Sequence, residues 1–323
     1  MYFKKTYLIN LSLLLCSFII TIFLLEITLN FFKLKLPENN KLTKLEYIRI
    51  KEKSSNNVVS SIPPDEIIEK YFPLSGIKNS LNINCNENNY WSSYPSDRFG
   101  FNNDDKIWNN NKLDYVFIGD SFTLGSCVNH DENFIYQFDQ LNNSLSLNLG
   151  MMGTGPLKQL GILNEYGLII PSKKIFWVFF EGNDLRELEE ELDVNILNNY
   201  LNTEFTQGLS NHSEIINELL LKKYKKAINE EISNKNNIYK EKKINLNFKI
   251  ILKLTEIRLL IEKFVQIQLI KRNNYYETNK EKYNKVLRVF LHFVSINNTE
   301  LNIIFIPSRE RLLNENIFSN RII

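Results

Sequence analysis

The residue with the clearest chemical potential is Ser121. It follows a short apolar run, Tyr115 to Ile118, through Gly119 and Asp120. A serine at a turn between a strand and a helix exposes its hydroxyl at the edge of a sheet, where it can attack a carbonyl carbon. Its own backbone N–H can then help to bind the resulting oxyanion. Gly-Asp-Ser also suits an ordinary turn in which Asp or Ser caps a helix, so both interpretations stay open here.

Two later turns carry groups that suit the same chemistry. In NLGMMGTGP (residues 148–156), Gly153 can bring a backbone N–H close to a substrate, and Pro156 can begin a helix. In EGND (residues 181–184), the side-chain amide of Asn183 is a neutral donor for a developing negative charge. An isolated Gly or Asn is more often a tight turn or a helix cap. That explanation does not account for the shared order in which Ser121, Gly153 and Asn183 follow successive predicted strands.

The elements that must position these residues are short apolar runs that alternate with helical patterns. This alternation predicts an α/β fold with a parallel sheet. The predicted strands are Tyr115 to Ile118, Leu145 to Leu149, Lys174 to Phe180 and Asn302 to Ile306. Ligands sit at the carboxyl ends of the strands in an open parallel sheet, so we expect Ser121, Gly153 and Asn183 at one edge. A helical pattern precedes the last strand, with Tyr283, Val286, Leu287, Phe290 and Val294 in register.

Composition excludes several classes of protein. With 43% hydrophobic and 24% charged residues, the 323-residue chain is not disordered throughout. Its 39 basic and 37 acidic residues give no general attraction to nucleic acid, and we expect no such partner. The three cysteines show no zinc-ligand spacing, so no structural zinc is expected. We expect no other metal and no cofactor. Cys127 is interpreted as a buried, unreactive thiol, with a second nucleophile or a disulfide to Cys85 as alternatives.

The N-terminal segment has the composition of a membrane anchor. Residues 6–25 carry no charge and match the roughly 20 residues that a helix needs to cross a bilayer. We therefore predict a transmembrane helix over residues 6–29, with residues 1–5 in the cytoplasm because Lys4 and Lys5 precede it. A cleaved signal peptide and a buried core helix are the alternatives. The rest of the chain would lie on the extracytoplasmic side, with residues 30–89 as a stalk or linker that has some local structure.

Residues 90–323 are predicted to form the main domain. A charged, Asn-rich and Lys-rich stretch of helical character interrupts it from about residue 186 to residue 280. Within this helical insertion, apolar residues spaced by four and three predict an amphipathic helix, formed by Ile250, Leu254, Ile257, Ile261 and Phe264. Packing against the domain is favoured over binding to a partner or to a membrane surface, because amphipathic stripes usually face a core.

The turn motifs together resemble those of a known superfamily. GDSFTLG (residues 119–125), Gly153 and GND (residues 182–184) are similar to the first three sequence blocks of the SGNH hydrolases, also called GDSL-type esterases and acyl hydrolases. SDRFGFNN (residues 96–103), NLGMMGTGPLKQL (residues 148–160) and IIFIPSRE (residues 303–310) resemble a membrane-anchored subgroup associated with acylation of cell-surface polysaccharides. The resemblance covers about residues 90–184 and the last strand. It implies a flavodoxin-like, three-layer α/β/α fold.

The resemblance also implies a mechanism and a class of substrate. Ser121 would attack an ester carbonyl, and the oxyanion would be held by the N–H groups of Ser121 and Gly153 and by the side chain of Asn183. The substrate would be a glycan that bears ester-linked acyl groups, or a small acyl ester, in hydrolysis or in O-acyl transfer. Proteins of surface-polysaccharide assembly are possible partners.

The family's general base is missing from its expected place. SGNH hydrolases take their histidine and its orienting aspartate from a late D-x-x-H block. The residues three positions before His130, His212 and His292 are Cys127, Leu209 and Val289. His130 is interpreted as a surface or capping residue, His212 as a solvated residue and His292 as a packed or partly exposed helix residue. We therefore leave the base unassigned and expect the chain to be a C-terminally truncated fragment. The alternative is a non-catalytic glycan-binding or assembly subunit.

Overall fold

The computed structural model of the chain describes residues 13–14, 16–28, 43–53, 57–87, 90–241, 275–308 and 311. The chain divides into two units, residues 1–41 with 230–274 and residues 42–229 with 275–323. In the first unit, residues 16–28 form helix α1. The second unit contains Ser121, Gly153 and Asn183, and it is therefore the unit that matters for the candidate chemistry.

Two predicted segments fall wholly or partly outside the described residues. The predicted anchor, residues 6–29, is described only at 13–14 and 16–28. Across the described ranges, no helix combines the length and the apolar character that a membrane crossing requires. The predicted amphipathic helix from Ile250 to Phe264 lies outside the described residues.

The remaining elements alternate along the chain. The helices are α2 (Lys44–Glu52), α3 (Ser121–Leu124), α4 (Phe134–Asn142), α5 (Pro156–Tyr166), α6 (Asp184–Leu192), α7 (Asn195–Asn198), α8 (Ser213–Glu241) and α9 (Tyr275–Ile296). The strands are β1 (Val58–Ser60), β2 (Leu81–Ile83), β3 (Ser93–Pro95), β4 (Leu113–Gly119), β5 (Ser146–Asn148), β6 (Ser172–Phe180) and β7 (Glu300–Ile306). Short 3₁₀ helices span Asp105–Asn109, His130–Glu132 and Asn199–Leu201.

The four predicted strands form one parallel sheet in the order β5-β4-β6-β7. The fold class predicted from the sequence, α/β with a parallel sheet, is confirmed at this level. Strand β4 lies between the strands that follow it in the sequence. The chain therefore moves outward from β4 in one direction to β5 and in the other direction to β6. Such a switch point opens a crevice at the carboxyl ends of the two central strands, where ligands bind in sheets of this kind.

The two central strands bury side chains on both faces of the sheet. On one face, Val116, Ile118 and Trp177 belong to the main core with residues of α5 and α9. On the other face, Phe117 and Val178 pack with Ile135 of α4. Because both faces are covered, these strands read as nearly continuous apolar runs in the sequence.

Helix α9 confirms the helical pattern predicted before the last strand. Val286, Phe290 and Val294 are buried in the main core, and Tyr283 and Leu287 are partly buried against it. The ring of Phe290 stacks on Trp177 of β6 with 4.1 Å between ring centroids. The apolar stripe of α9 therefore faces the sheet, as its spacing predicts.

A small second sheet lies partly in the segment predicted as a stalk, which contributes β1 and β2, whereas β3 follows that segment. Strand β1 pairs with β2 in parallel, and β2 pairs with β3 in the antiparallel sense. Between β1 and β2, the side chains of Phe72, Leu74 and Ile77 are buried in the main core. These apolar residues follow no strand or helix period, because they lie in irregular backbone. Periodicity therefore could not reveal that the segment packs onto the domain.

Candidate active site

Ser121 lies where the sequence predicts it, at the carboxyl end of β4. It is the first residue of α3, and Asp120 caps that helix by accepting a hydrogen bond from the Phe122 N–H at 2.9 Å. The capping interpretation of Asp120 is thus confirmed. A Cβ atom on Gly119 would lie 2.2 Å from Thr123 Oγ1, so the turn that presents Ser121 requires glycine at this position.

Helix α3 has only four residues and cannot be stable by itself. Its last carbonyls are satisfied by side-chain amides from three separate segments. Asn102 donates to the Leu124 carbonyl at 2.8 Å, and Asn133 donates to the same oxygen at 2.9 Å. Asn148, at the end of β5, donates to the Thr123 carbonyl at 2.9 Å. These amides fix the helix that begins with Ser121.

The SDRFGFNN segment supplies part of this support. Asn103 donates from its amide to the Asn148 carbonyl at 2.9 Å and accepts from the Asn148 N–H at 2.8 Å. Its amide also donates to Asp97 Oδ2 at 2.8 Å. The side-chain amide of Asn103 therefore pairs with both backbone groups of Asn148, as the backbone of a neighbouring strand would. The role of the motif in this structure is to brace the site.

The loop after β5 is attached to the end of β4. The Met151 N–H and the Thr154 hydroxyl both donate to the Gly119 carbonyl, at 3.1 Å and 3.3 Å. Gly153 lies in this loop with φ at +67°, a backbone conformation that favours glycine. Its N–H donates to no acceptor in the described ranges. Helix α5 begins at Pro156, as predicted.

Asn183 lies at the carboxyl end of β6 and contacts the turn that carries Ser121. Its amide nitrogen donates to Asp120 Oδ2 at 3.3 Å and to Glu187 Oε1 at 3.1 Å. Asn183 occupies the N-cap position of α6, but its side chain makes no capping hydrogen bond. Its amide oxygen is buried and lacks a partner among the described residues. The structure therefore places the Asn183 side chain in contact with Asp120, the residue that precedes Ser121.

Three carboxyl groups lie close to one another on this side of the site, of which Asp120 and Asp184 are buried and Glu187 is half-buried. Burial raises the pKa of Asp120, and the N–H of Phe122 and the Asn183 amide partly oppose that effect. Burial also raises the pKa of Asp184 well above its ordinary value, and the negative charge of Asp120 adds to it. The pKa of Glu187 is raised for the same two reasons. This side of the site consequently retains protons more readily than exposed carboxyl groups would.

An aromatic pair forms an apolar surface next to Ser121. The side chain of Phe122 is 46% exposed, and its ring centroid lies 4.6 Å from that of Phe180 at the end of β6. A Cβ on Gly182 would lie 2.4 Å from the Phe180 ring, so a glycine is needed for the ring to occupy this place. The surface is suited to the apolar part of a ligand held at the serine.

The sequence did not reveal the contribution of the last strand. Glu181, directly after β6, accepts hydrogen bonds from the Ser308 N–H at 3.1 Å and from Arg311 Nε at 2.6 Å. Arg311 also forms an ion pair with the same carboxylate. Ser308 belongs to the IIFIPSRE segment, and Arg311 directly follows it. Their pairing with Glu181 depends on a contact between distant segments, for which the sequence carries no local signal.

None of the three histidines is hydrogen-bonded to Ser121, whose hydroxyl has no partner in the part of the chain that is described. His130 is half-buried, its Nδ1 lies 2.6 Å from Asn102 Oδ1, and burial lowers its pKa. It begins a 3₁₀ turn rather than lying free on the surface. His212 Nδ1 lies 2.7 Å from the Gly208 carbonyl, and His292 is exposed on α9.

The interpretation of Cys127 as an unreactive thiol is wrong. Cys127 forms a disulfide with Cys85, the alternative that the sequence left open. The pair joins the segment after β2 to the segment after α3, so neither sulfur is available as a nucleophile. Geometry in the fold, rather than spacing in the chain, decides this pairing.

The described residues contain no group of His, Cys, Asp or Glu side chains that could hold a metal ion. In comparisons with known proteins, no family model, curated protein or solved structure matches the chain. The chemistry of the site must therefore be argued from its own geometry.

Proposed function

We propose that the chain is a serine esterase, acyl hydrolase or O-acyltransferase of the SGNH type. The observation that carries the proposal is the convergence of three strand ends. Ser121 begins a braced helix, the amide of Asn183 lies 3.3 Å from the neighbouring Asp120, and the Gly153 loop is hydrogen-bonded to Gly119. A serine hydroxyl flanked by backbone and amide donors suits attack on an acyl ester and stabilisation of the oxyanion.

In this proposal the groups have distinct roles. The hydroxyl of Ser121 attacks the ester carbonyl, and the negative charge develops on the carbonyl oxygen. The N–H groups of Ser121 and Gly153 and the amide of Asn183 would receive that charge. To do so, Asn183 would exchange one of its two carboxylate contacts, and the longer one, to Asp120, is the more easily displaced. The exposed ring of Phe122 would contact the acyl group.

The proposed setting is the extracytoplasmic face of a membrane, with an ester-bearing glycan or a small acyl ester as substrate. The Cys85–Cys127 disulfide supports this setting, because disulfides persist in oxidising compartments. The apolar composition of residues 6–29 supports attachment to the membrane, and surface-polysaccharide assembly proteins are the proposed partners. The proposed fold is the flavodoxin-like arrangement of such enzymes, to which the sheet order β5-β4-β6-β7 corresponds.

Covalent labelling with a fluorophosphonate probe tests the proposal. We expect labelling of the full chain and its complete loss in Ser121→Ala. The matched control is Ser126→Ala, five residues later in the same segment, which should label normally. Labelling that persists in Ser121→Ala would contradict the assignment of the nucleophile.

A second candidate function is a non-catalytic glycan-binding or assembly subunit of the same fold. It is favoured by the isolation of the Ser121 hydroxyl, which has no hydrogen-bonded base among the described residues. Turnover of p-nitrophenyl acetate distinguishes the two functions. Turnover that Ser121→Ala abolishes would exclude this second candidate, whereas the absence of both turnover and labelling would support it.

A further inference from the structure

Helix α6 carries three side chains of the site at intervals of four residues. Asn183, Glu187 and Glu191 therefore lie on one face of this helix, one turn apart. Asn183 and Glu187 are joined by a hydrogen bond of 3.1 Å. The third member, Glu191, contacts the end of the loop that follows β5.

Glu191 is bound to the first turn of α5. Its carboxylate accepts hydrogen bonds from the N–H groups of Gly155 at 2.5 Å, Leu157 at 2.9 Å and Lys158 at 3.2 Å. Helix α5 has no side-chain cap of its own, because Gly155 occupies the N-cap position. The buried carboxylate of Glu191 thus supplies the cap from a different helix.

Lys158 completes the connection between α6 and the Gly153 loop. Its ammonium donates to the Gly153 carbonyl at 3.0 Å and lies 3.8 Å from Glu191 Oε1. Its side chain is only 12% exposed, so the charge is largely removed from solvent. Gly153 has a positive φ, and the ammonium holds its carbonyl in the orientation that this conformation produces.

We propose that Lys158 and Glu191 are positioning residues that fix the Gly153 donor relative to the Asn183 donor. The inference rests on the proposed function, since it assigns these residues to the alignment of the oxyanion donors. Neither residue needs to touch the substrate. Such donors stabilise a transition state only when they are held at the position of the developing charge, and a displacement of about 1 Å can cost on the order of 100-fold in rate.

The test compares three variants of the full chain: Lys158→Met, Lys158→Arg and Lys173→Met. Lys173 is an exposed lysine at the opposite end of β6, paired with Asp114, and serves as the control. For hydrolysis of p-nitrophenyl acetate, we expect Lys158→Met to lower kcat by about 10- to 100-fold with little change in KM. Lys158→Arg should recover most of that loss, and Lys173→Met should match the unmodified chain. An unchanged kcat in Lys158→Met, or an equal loss in Lys173→Met, would overturn the inference.

A spectroscopic readout separates this inference from the proposed function. In ¹⁵N–¹H spectra, Lys158→Met should shift the backbone amide of Gly153 and the side-chain amide of Asn183, whereas Lys173→Met should shift neither. Should the unmodified chain fail to react with any acyl ester or probe, the proposed function fails, and the amide shifts still decide the inference. Unshifted resonances at both positions in Lys158→Met would overturn it.

Discussion

At the scale of single residues, the most unusual feature of the site is its cluster of buried and half-buried carboxyl groups. Asp120, Asp184, Glu187 and Glu191 all have raised pKa values, chiefly because burial disfavours their charged forms. Lys158 opposes this effect for Glu187 and Glu191. Protonation of these groups is therefore linked to folding as well as to the availability of the Asn183 amide.

Glu191 gives a direct test of that linkage. Burial raises its pKa from 4.5 to about 7, so the folded state holds this proton more tightly than the unfolded chain does. The stability associated with the proton is fully present below about pH 4.5 and is lost as the pH rises through about 7. Between those values, we expect the free energy of unfolding to fall less steeply with pH in Glu191→Gln than in the unmodified chain.

Between about pH 4.5 and pH 7, the free energy of unfolding should fall by roughly 1–3 kcal/mol more in the unmodified chain than in Glu191→Gln. Urea denaturation followed at several pH values measures it. Glu190→Gln is the control, since Glu190 is exposed on the same helix and should leave the slope unchanged. Parallel pH profiles for Glu191→Gln and the unmodified chain would show that Glu191 does not hold the proton.

At the scale of elements, the short helix that presents the nucleophile depends on β5 and on segments that do not belong to the sheet. Asp97 is the centre of this support. It is completely buried, and it accepts hydrogen bonds from three consecutive backbone N–H groups at residues 99–101 and from the side chains of Asn103 and Trp108. Asn103 in turn binds the end of β5. A change at Asp97 should therefore affect the helix of Ser121 through Asn103 and Asn148.

Asp97→Asn is predicted to destabilise the fold by about 2–4 kcal/mol. Asparagine has an NH2 group in place of one carboxylate oxygen. Either the three backbone N–H groups or the side-chain donors of Asn103 and Trp108 would therefore face another donor and lose their acceptor. Chemical denaturation measures the loss. Asp131→Asn, at an exposed position, should change stability by less than about 0.5 kcal/mol. A similarly small effect at Asp97 would mean that the hydrogen bonds of Asp97 do not contribute to stability.

Comparison of sequence and structure at this scale shows what each kind of signal can reveal. The four strands and the stripe of α9 were predictable, because alternation and helical spacing are local. Ser121 and Asn183 were predictable from their place after apolar runs. The contacts of Glu191 with Gly155 and of Glu181 with Arg311 were not, because they join segments that approach each other only after the sheet has formed.

At the scale of the whole molecule, the disulfide connects the small sheet to the side of the domain that carries the nucleophile. Cys85 follows β2, and Cys127 lies shortly after α3, 42 positions later in the sequence. A crosslink over a loop of this length restricts the unfolded chain and typically stabilises a fold by about 2–4 kcal/mol. Removal of the disulfide therefore measures how far the attachment of residues 58–87 depends on an oxidising environment.

We predict that replacing both Cys85 and Cys127 with serine lowers the free energy of unfolding by about 2–4 kcal/mol. A reductant should lower the stability of the unmodified chain to the same value and leave the double variant unchanged. Cys16→Ser is the control, since Cys16 is a free, exposed thiol. If reduction changes nothing in the unmodified chain, the crosslink contributes nothing to the stability of the folded protein.

The stack of Phe290 on Trp177 also has an optical consequence. Trp177 is fully buried on β6, whereas Phe290 comes from a helix much later in the chain, just before the strand that completes this side of the sheet. Contacts between segments so distant in sequence form slowly during folding, because a long loop must close first. With Trp91 and Trp108 replaced by phenylalanine, which removes the hydrogen bond from Trp108 to Asp97, the fluorescence of the remaining indole would report when residues 275–306 dock. Trp177 is thus an intrinsic fluorescent probe for the last stage of folding.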